Sequence, residues 1–243
     1  MRAAAHAAWL AIAALVSQPP ALAKHSTCPL DRPGIDQLGE SETLRASVRQ
    51  VGKDRVLMLE GGIDAKAPET IANALKTGGA ISEIWLRSPG GNAAAGNRAG
   101  EVIRGSGIPV RILDGWWCIS ACNFLFFGGA LRTIDPGGVF AVHMATRVND
   151  PNYQNNVDRL TKRGATGSVL EEIAKREQGM AQLTADDIDV MLRMGISRKL
   201  LSDVMYAQRA DSFRGGRENA ANAETYRCLT REEMVRYNVV NID

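Results

Sequence analysis

The stretch Trp116-Trp117-Cys118-Ile119-Ser120-Ala121-Cys122-Asn123-Phe124-Leu125-Phe126-Phe127-Gly128-Gly129 constrains this chain more than any other. It is almost wholly apolar, yet shorter than the about 20 residues a membrane-spanning helix needs. It therefore belongs in a globular core, and it reads as a buried helix opening at Ser120. One serine and two cysteines then stand at the mouth of that helix. A serine there has two roles open to it. It can cap the helix by accepting a backbone N–H bond. It can also be a nucleophile at the positive end of the helix dipole, where free N–H groups favour developing negative charge.

The start of the chain bounds the compartment. Residues 1–23 have the form of a secretory signal peptide: Arg2, an apolar run from Ala3 to Val16, then Ala21-Leu22-Ala23 as a cleavage site. The apolar run is short for an uncleaved anchor. Cleavage leaves about 220 residues, enough for one domain with a sizeable core. Loss of Arg2 lowers the formal charge from +2 to +1, so there is no basic footprint and nucleic acid is not an expected partner. No later segment is long and apolar enough to suggest a membrane span after cleavage. Export places Cys28, Cys118, Cys122 and Cys228 where disulfides persist. Four cysteines allow three connectivities. The natural pairing is Cys118 with Cys122, one helical turn apart, and Cys28 with Cys228, tying the chain ends together. Cys-x3-Cys without a nearby histidine is not a usual zinc arrangement, so no metal is expected.

Along the chain, 24–42 is an irregular lead-in and 43–243 a single folded domain. Thr43 to Val51 and Arg55 to Leu59, around Gly52-Lys53-Asp54, predict a β-hairpin. Pro68 opens a helix through Lys76. Ile84-Trp85-Leu86 is a short strand, Ala93 to Arg104 a helix, and Ile108 to Leu113 a strand. The central helix follows, then strands at Arg132 to Ile134 and Val139 to Val142. This alternation predicts parallel βαβ units. Residues 144–225 form a variable excursion. Asn149 to Thr166 is polar and reads as a surface loop, while Val169 to Gln182, Ala185 to Arg193 and Arg198 to Ala207 read as helices. Asp211 to Thr225 reads as a loop. Thr230-Arg231-Glu232-Glu233 is a capping box, and Val239-Val240 suggests a final strand.

Three loop positions follow three successive strands: Ser88-Pro89-Gly90-Gly91, Cys118 to Cys122, and His143. Ligand sites of open parallel sheets lie at the carboxyl ends of strands. Gly91 and Ala121 can offer N–H groups to an oxyanion, and His143 can take a proton from Ser120. Each motif alone has a plain alternative: a turn, a helix cap, a strand-end histidine.

In order and spacing, these motifs resemble a known family. Leu86-Arg87-Ser88-Pro89-Gly90-Gly91-Asn92 is similar to the strand-to-helix loop of Clp protease proteolytic subunits. Ser120 to Gly129 resembles their nucleophile helix, and Gly138 to His143 the strand carrying their histidine. Arg55 to Gly61 resembles their first strand, and Leu229 to Met234 with Asn238 to Val240 their closing segment. The resemblance implies the ClpP/crotonase-like fold: α/β, a spiral of ββα units with parallel sheet and a helical C-terminal part, assembled in trimers or multiples of three. It implies Ser120 as nucleophile, His143 as base, and Gly91 and Ala121 as oxyanion donors. For the acid, Asp203 and Asp211 are both open, and Asn222 is a third occupant of that slot. The lysine used by signal peptide peptidase relatives has no counterpart here.

The expectation is an exported serine hydrolase, periplasmic or secreted, acting on peptides or unfolded proteins without a cofactor. The alternative is a catalytically degenerate relative that binds peptides or partners in the same groove. A thiol redox pair at Cys118 and Cys122 is a third reading, set against by the Cys-x3-Cys spacing. A crotonase-type acyl-coenzyme A reaction shares the fold but lacks a periplasmic substrate.

Overall fold

The hydrophobic alternation of the first third of the domain builds a sheet on which everything else is hung. In the computed structural model, residues 43–143, 151–205 and 227–242 are described. Strands β1 (Arg45–Val51) and β2 (Asp54–Glu60) form the expected antiparallel hairpin. Helix α1 (Ala67–Thr77) starts with proline in its first turn and buries Ile71. Strand β3 (Glu83–Arg87) then pairs parallel with β2. Helix α2 (Ala93–Ser106) is capped by Asn92, whose side chain accepts from the Ala95 N–H, and ends at left-handed Gly107. Strand β4 (Val110–Ile112) follows.

From here the chain departs from one continuous sheet. Strand β5 (Trp117–Ile119), helix α3 (Cys122–Gly128), β6 (Arg132–Ile134) and β7 (Val139–Val142) come next in sequence. After helices α4 (Pro151–Lys162) and α5 (Thr166–Arg193) come β8 (Arg227–Cys228) and α6 (Arg231–Arg236). One sheet has the order β1-β2-β3-β4-β6, parallel apart from β1, and a second has the order β5-β7-β8. In the second, β5 and β7 are parallel and β8 runs antiparallel. The two sheets meet where Ser88 bridges Cys118.

Helix α3 is too short to be stable alone, because helices under about 12 residues rarely hold in water. It exists because every one of its residues is buried. Its aromatic rings interlock with β7: Phe126 and Phe127 lie 5.4 Å and 5.8 Å from Phe140, centroid to centroid. Burying each such side chain contributes about 1.5–3 kcal/mol, more than the short helix costs. Along its other side, α3 meets α2 backbone to backbone. A Cβ at Gly100 would collide with the Phe124 carbonyl, and one at Gly128 with that of Gly100.

Four sequence expectations change in the structure. The apolar run does not start as a helix: Trp117–Ile119 is β5, and Ser120-Ala121 is a turn before α3. The polar stretch expected as a surface loop contains α4. Tyr153, Gln154, Asn156, Val157 and Leu160 are its half-buried residues, at the 3.6-residue period of a stripe. The two helices expected between 169 and 193 are one, running through Leu183-Thr184. Val239-Val240 is buried but is not a strand.

Arg132 explains the last of these. Its guanidinium is 1 % exposed and donates to the carbonyls of Val239 (2.9 Å), Asn238 (2.9 Å) and Gly129 (3.1 Å). The closing segment thus satisfies its backbone on a buried cation instead of a neighbouring strand. Burial, and the nearby Arg104, push the Arg132 pKa down to about 10. The Thr230 capping box is present as expected.

Candidate active site

The site forms where three strand ends converge. At the end of β3, Ser88 donates its N–H to the Trp117 carbonyl (3.0 Å), and its own carbonyl accepts from Ile119 (3.1 Å). Those two bonds hold the Pro-Gly-Gly loop against the end of β5. Gly90 has φ +97°, and a Cβ there would stand 2.6 Å from the Ile119 carbonyl oxygen and 2.7 Å from Ser120 Cβ. Only glycine allows that approach.

Ser120 takes φ +58°, the left-handed region. For a residue with a Cβ this costs about 1–2 kcal/mol, and such strain persists where its surroundings over-determine it. Three anchors do so here. The Ser120 N–H donates to the Ala141 carbonyl (3.2 Å), and Asn123 Nδ2 donates to the same oxygen (3.0 Å). The third is a disulfide between Cys118 and Cys122, with Cα atoms 5.2 Å apart, which straddles the serine. The result lifts the Ser120 hydroxyl off the helix. It does not cap α3; Ser120 Oγ lies 2.7 Å from His143 Nε2 at the end of β7. Both residues are half-buried.

Ala121 follows Ser120 directly, and Gly91 follows Gly90, whose Cβ position would lie 2.7 Å from Ser120 Cβ. Among the described residues, neither the Gly91 nor the Ala121 N–H donates to a backbone carbonyl outside the regular elements. Asp203 is exposed, and its carboxylate accepts from the neighbouring Ser202 hydroxyl (2.8 Å). Asp211, Asn222 and Cys28 lie outside the described residues, as do residues 1–42, which carry the expected signal peptide and lead-in. Cys228 is disulfide-bonded. Among the described residues, no cluster of metal-ligating side chains is present, and no helix is long and apolar enough to cross a membrane.

Ser120 and His143 share a small cavity with Asn123, Phe124, Phe127 and Asp187. The sequence reading missed Asp187. Its carboxylate is 6 % exposed and accepts from Asn97 Nδ2 at 2.8 Å, a residue equally buried on α2. Desolvation raises its pKa from 3.8 to about 6; nearby Asp186 also raises it, while the Asn97 bond opposes the rise. A signal for it existed. Asp187 stands three and four residues before Val190 and Met191, on the one buried stripe of α5.

The fold has a counterpart among solved structures. A ClpP1 point mutant from Listeria monocytogenes matches 76 % of this chain and 88 % of its own, at a TM-score of 0.49 and 15 % identity. The likeness is one of α/β chain path, and no residue role rests on it. No protein-family model matches the chain, and no curated protein does.

Proposed function

We propose that this protein is an exported, ClpP-like serine hydrolase acting on peptides or unfolded proteins. The observation that carries the reading is the 2.7 Å contact between His143 Nε2 and the hydroxyl of a serine held at φ +58°. A capping or structural serine needs neither the strained backbone nor an imidazole partner. In the proposed reaction, Ser120 Oγ attacks the scissile carbonyl carbon and its proton passes to His143 Nε2. The carbonyl oxygen gathers negative charge, which the Gly91 and Ala121 N–H groups stabilise. His143 then gives the proton to the leaving amine, and water repeats the sequence on the acyl-enzyme. Asp203 or Asp211 is the proposed orienting acid for His143. The Cys118–Cys122 disulfide supports an oxidising compartment, periplasmic or secreted, with the signal peptide removed after Ala23. Assembly in multiples of three follows from the family resemblance and is checked by light scattering on the mature chain.

The test is covalent labelling. A fluorophosphonate should label the wild-type protein at Ser120, Ser120→Ala not at all, and His143→Ala far more slowly. Of Asp203→Ala and Asp211→Ala, the one that slows labelling identifies the acid. Folded wild-type protein that takes up no probe between about pH 6 and 9, and cleaves no unfolded protein, would leave peptide binding without catalysis as the function of this groove.

A further inference from the structure

The cavity beside Ser120 holds more hydrogen-bond acceptors than the proposed reaction uses. Asn123 spends its Nδ2 on the Ala141 carbonyl, and its Oδ1 is buried without a partner. One Asp187 oxygen takes the Asn97 bond, and among the described residues the other makes none. A buried polar atom left unpaired costs about 1–3 kcal/mol, and a desolvated carboxylate costs more. The cavity wall beside Ser120 thus holds one orphan amide oxygen, from Asn123, and the Asp187 carboxylate. The rest of the cavity wall is apolar, with Phe124, Phe127, Val142 and Met191.

We propose that this cavity receives the side chain on the acyl side of the scissile bond and selects a basic one. The inference rests on the serine-hydrolase reading above. An aliphatic stem fits the apolar wall, as the methylenes of lysine and arginine habitually do. The cationic head brings only donors, which is what the Asn123 oxygen and the Asp187 carboxylate lack. An acidic side chain would add a like charge beside Asp187 and Asp186. A purely aliphatic one would leave the carboxylate desolvated and unpaired. The raised Asp187 pKa agrees with a carboxylate whose counter-charge arrives with the ligand.

Diphenyl phosphonate probes test this directly. Ser120 Oγ bonds to phosphorus, phenoxide leaves, and the serine proton goes to His143. Two probes suffice, one with a lysine side chain and one with the uncharged norleucine side chain of similar length, beside a fluorophosphonate that has neither. The expected result is wild-type labelling at least about tenfold faster with the lysine probe. In Asp187→Asn that rate ratio should fall towards one. Because the wild-type ratio needs no mutation, a variant that fails to fold does not weaken the test. Wild-type protein that reacts with the fluorophosphonate but shows no lysine preference overturns this inference and leaves the hydrolase reading standing. Protein that reacts with none of the three overturns both.

Discussion

Asn123 Nδ2 donates to the Ala141 carbonyl at 3.0 Å, on the same oxygen that accepts the Ser120 N–H. One backbone carbonyl of β7, two residues before His143, therefore ties the Ser120 turn and the first turn of α3 together.

Asn123→Ala should therefore cost about 1–3 kcal/mol of stability and slow fluorophosphonate labelling as well. Urea melts and labelling rates measure the two effects. A variant that loses stability but labels at the wild-type rate would show that Asn123 supports the core alone.

Gly90→Ala should disrupt the site more than its small size suggests. The added methyl meets the Ile119 carbonyl at 2.6 Å and Ser120 Cβ at 2.7 Å, at a φ that residues with a Cβ rarely adopt. Relief requires the loop to move, which misplaces the Gly91 N–H. Losing one oxyanion donor costs about 10²–10³ in turnover. Labelling of the folded variant should fall by a comparable factor, and an unchanged rate would remove Gly91 from the proposed oxyanion site.

Reduction of the Cys118–Cys122 disulfide should slow labelling of Ser120 without unfolding the domain. The bridge closes a five-residue loop around the strained serine, and both cysteines are fully buried in the core. Opening it frees Ser120 to leave φ +58°, a relaxation favourable by about 1–2 kcal/mol. Labelling of Cys118→Ala/Cys122→Ala, compared with wild type under matched circular dichroism, is the measurement. Equal rates would mean that the Ala141 carbonyl alone holds the turn.

Arg132→Met should be among the most destabilising single changes. It strips donors from the carbonyls of Val239, Asn238 and Gly129 together. Each buried acceptor left unpaired costs about 1–3 kcal/mol. Arg132→Lys should recover little, because one ammonium cannot span the fork of three carbonyls. Thermal melts of the two variants decide this.

Asp187 gives a pH signature. Its folded pKa is raised to about 6 from an ordinary 3.8, so the folded state holds a proton more tightly than the unfolded state. Its contribution to stability is full below about pH 4 and is lost as pH rises to about 6. The difference amounts to about 2–3 kcal/mol. Asp186 bears on this carboxylate electrostatically, and His143 lines the same cavity. The comparison must therefore be between wild type and Asp187→Asn, in which this slope should vanish. Parallel stability curves for the two proteins would refute the assignment.

Local pattern was enough for the hairpin at β1 and β2, for α1, α2 and the Thr230 capping box, because each is decided by neighbours within a few residues: turn glycines, a first-turn proline, an asparagine cap. Ser120, His143 and the Pro-Gly-Gly loop were legible for a related reason, since each sits at the end of a strand that its own apolar residues announce. What sequence could not decide was set by distant partners. The run at Trp117 to Gly128 breaks into strand, turn and helix because β7 and Ser88 offer hydrogen bonds on one side and α2 offers a backbone groove on the other. Val239-Val240 looks like a strand until Arg132, more than a hundred residues earlier in the chain, takes the carbonyls of Asn238 and Val239. Asp187 reads as one more charge on a long helix until the packing of α5 against Asn97 turns it inward. Burial of a polar group is a property of the assembled surfaces, and that is where the chemistry of this cavity was decided.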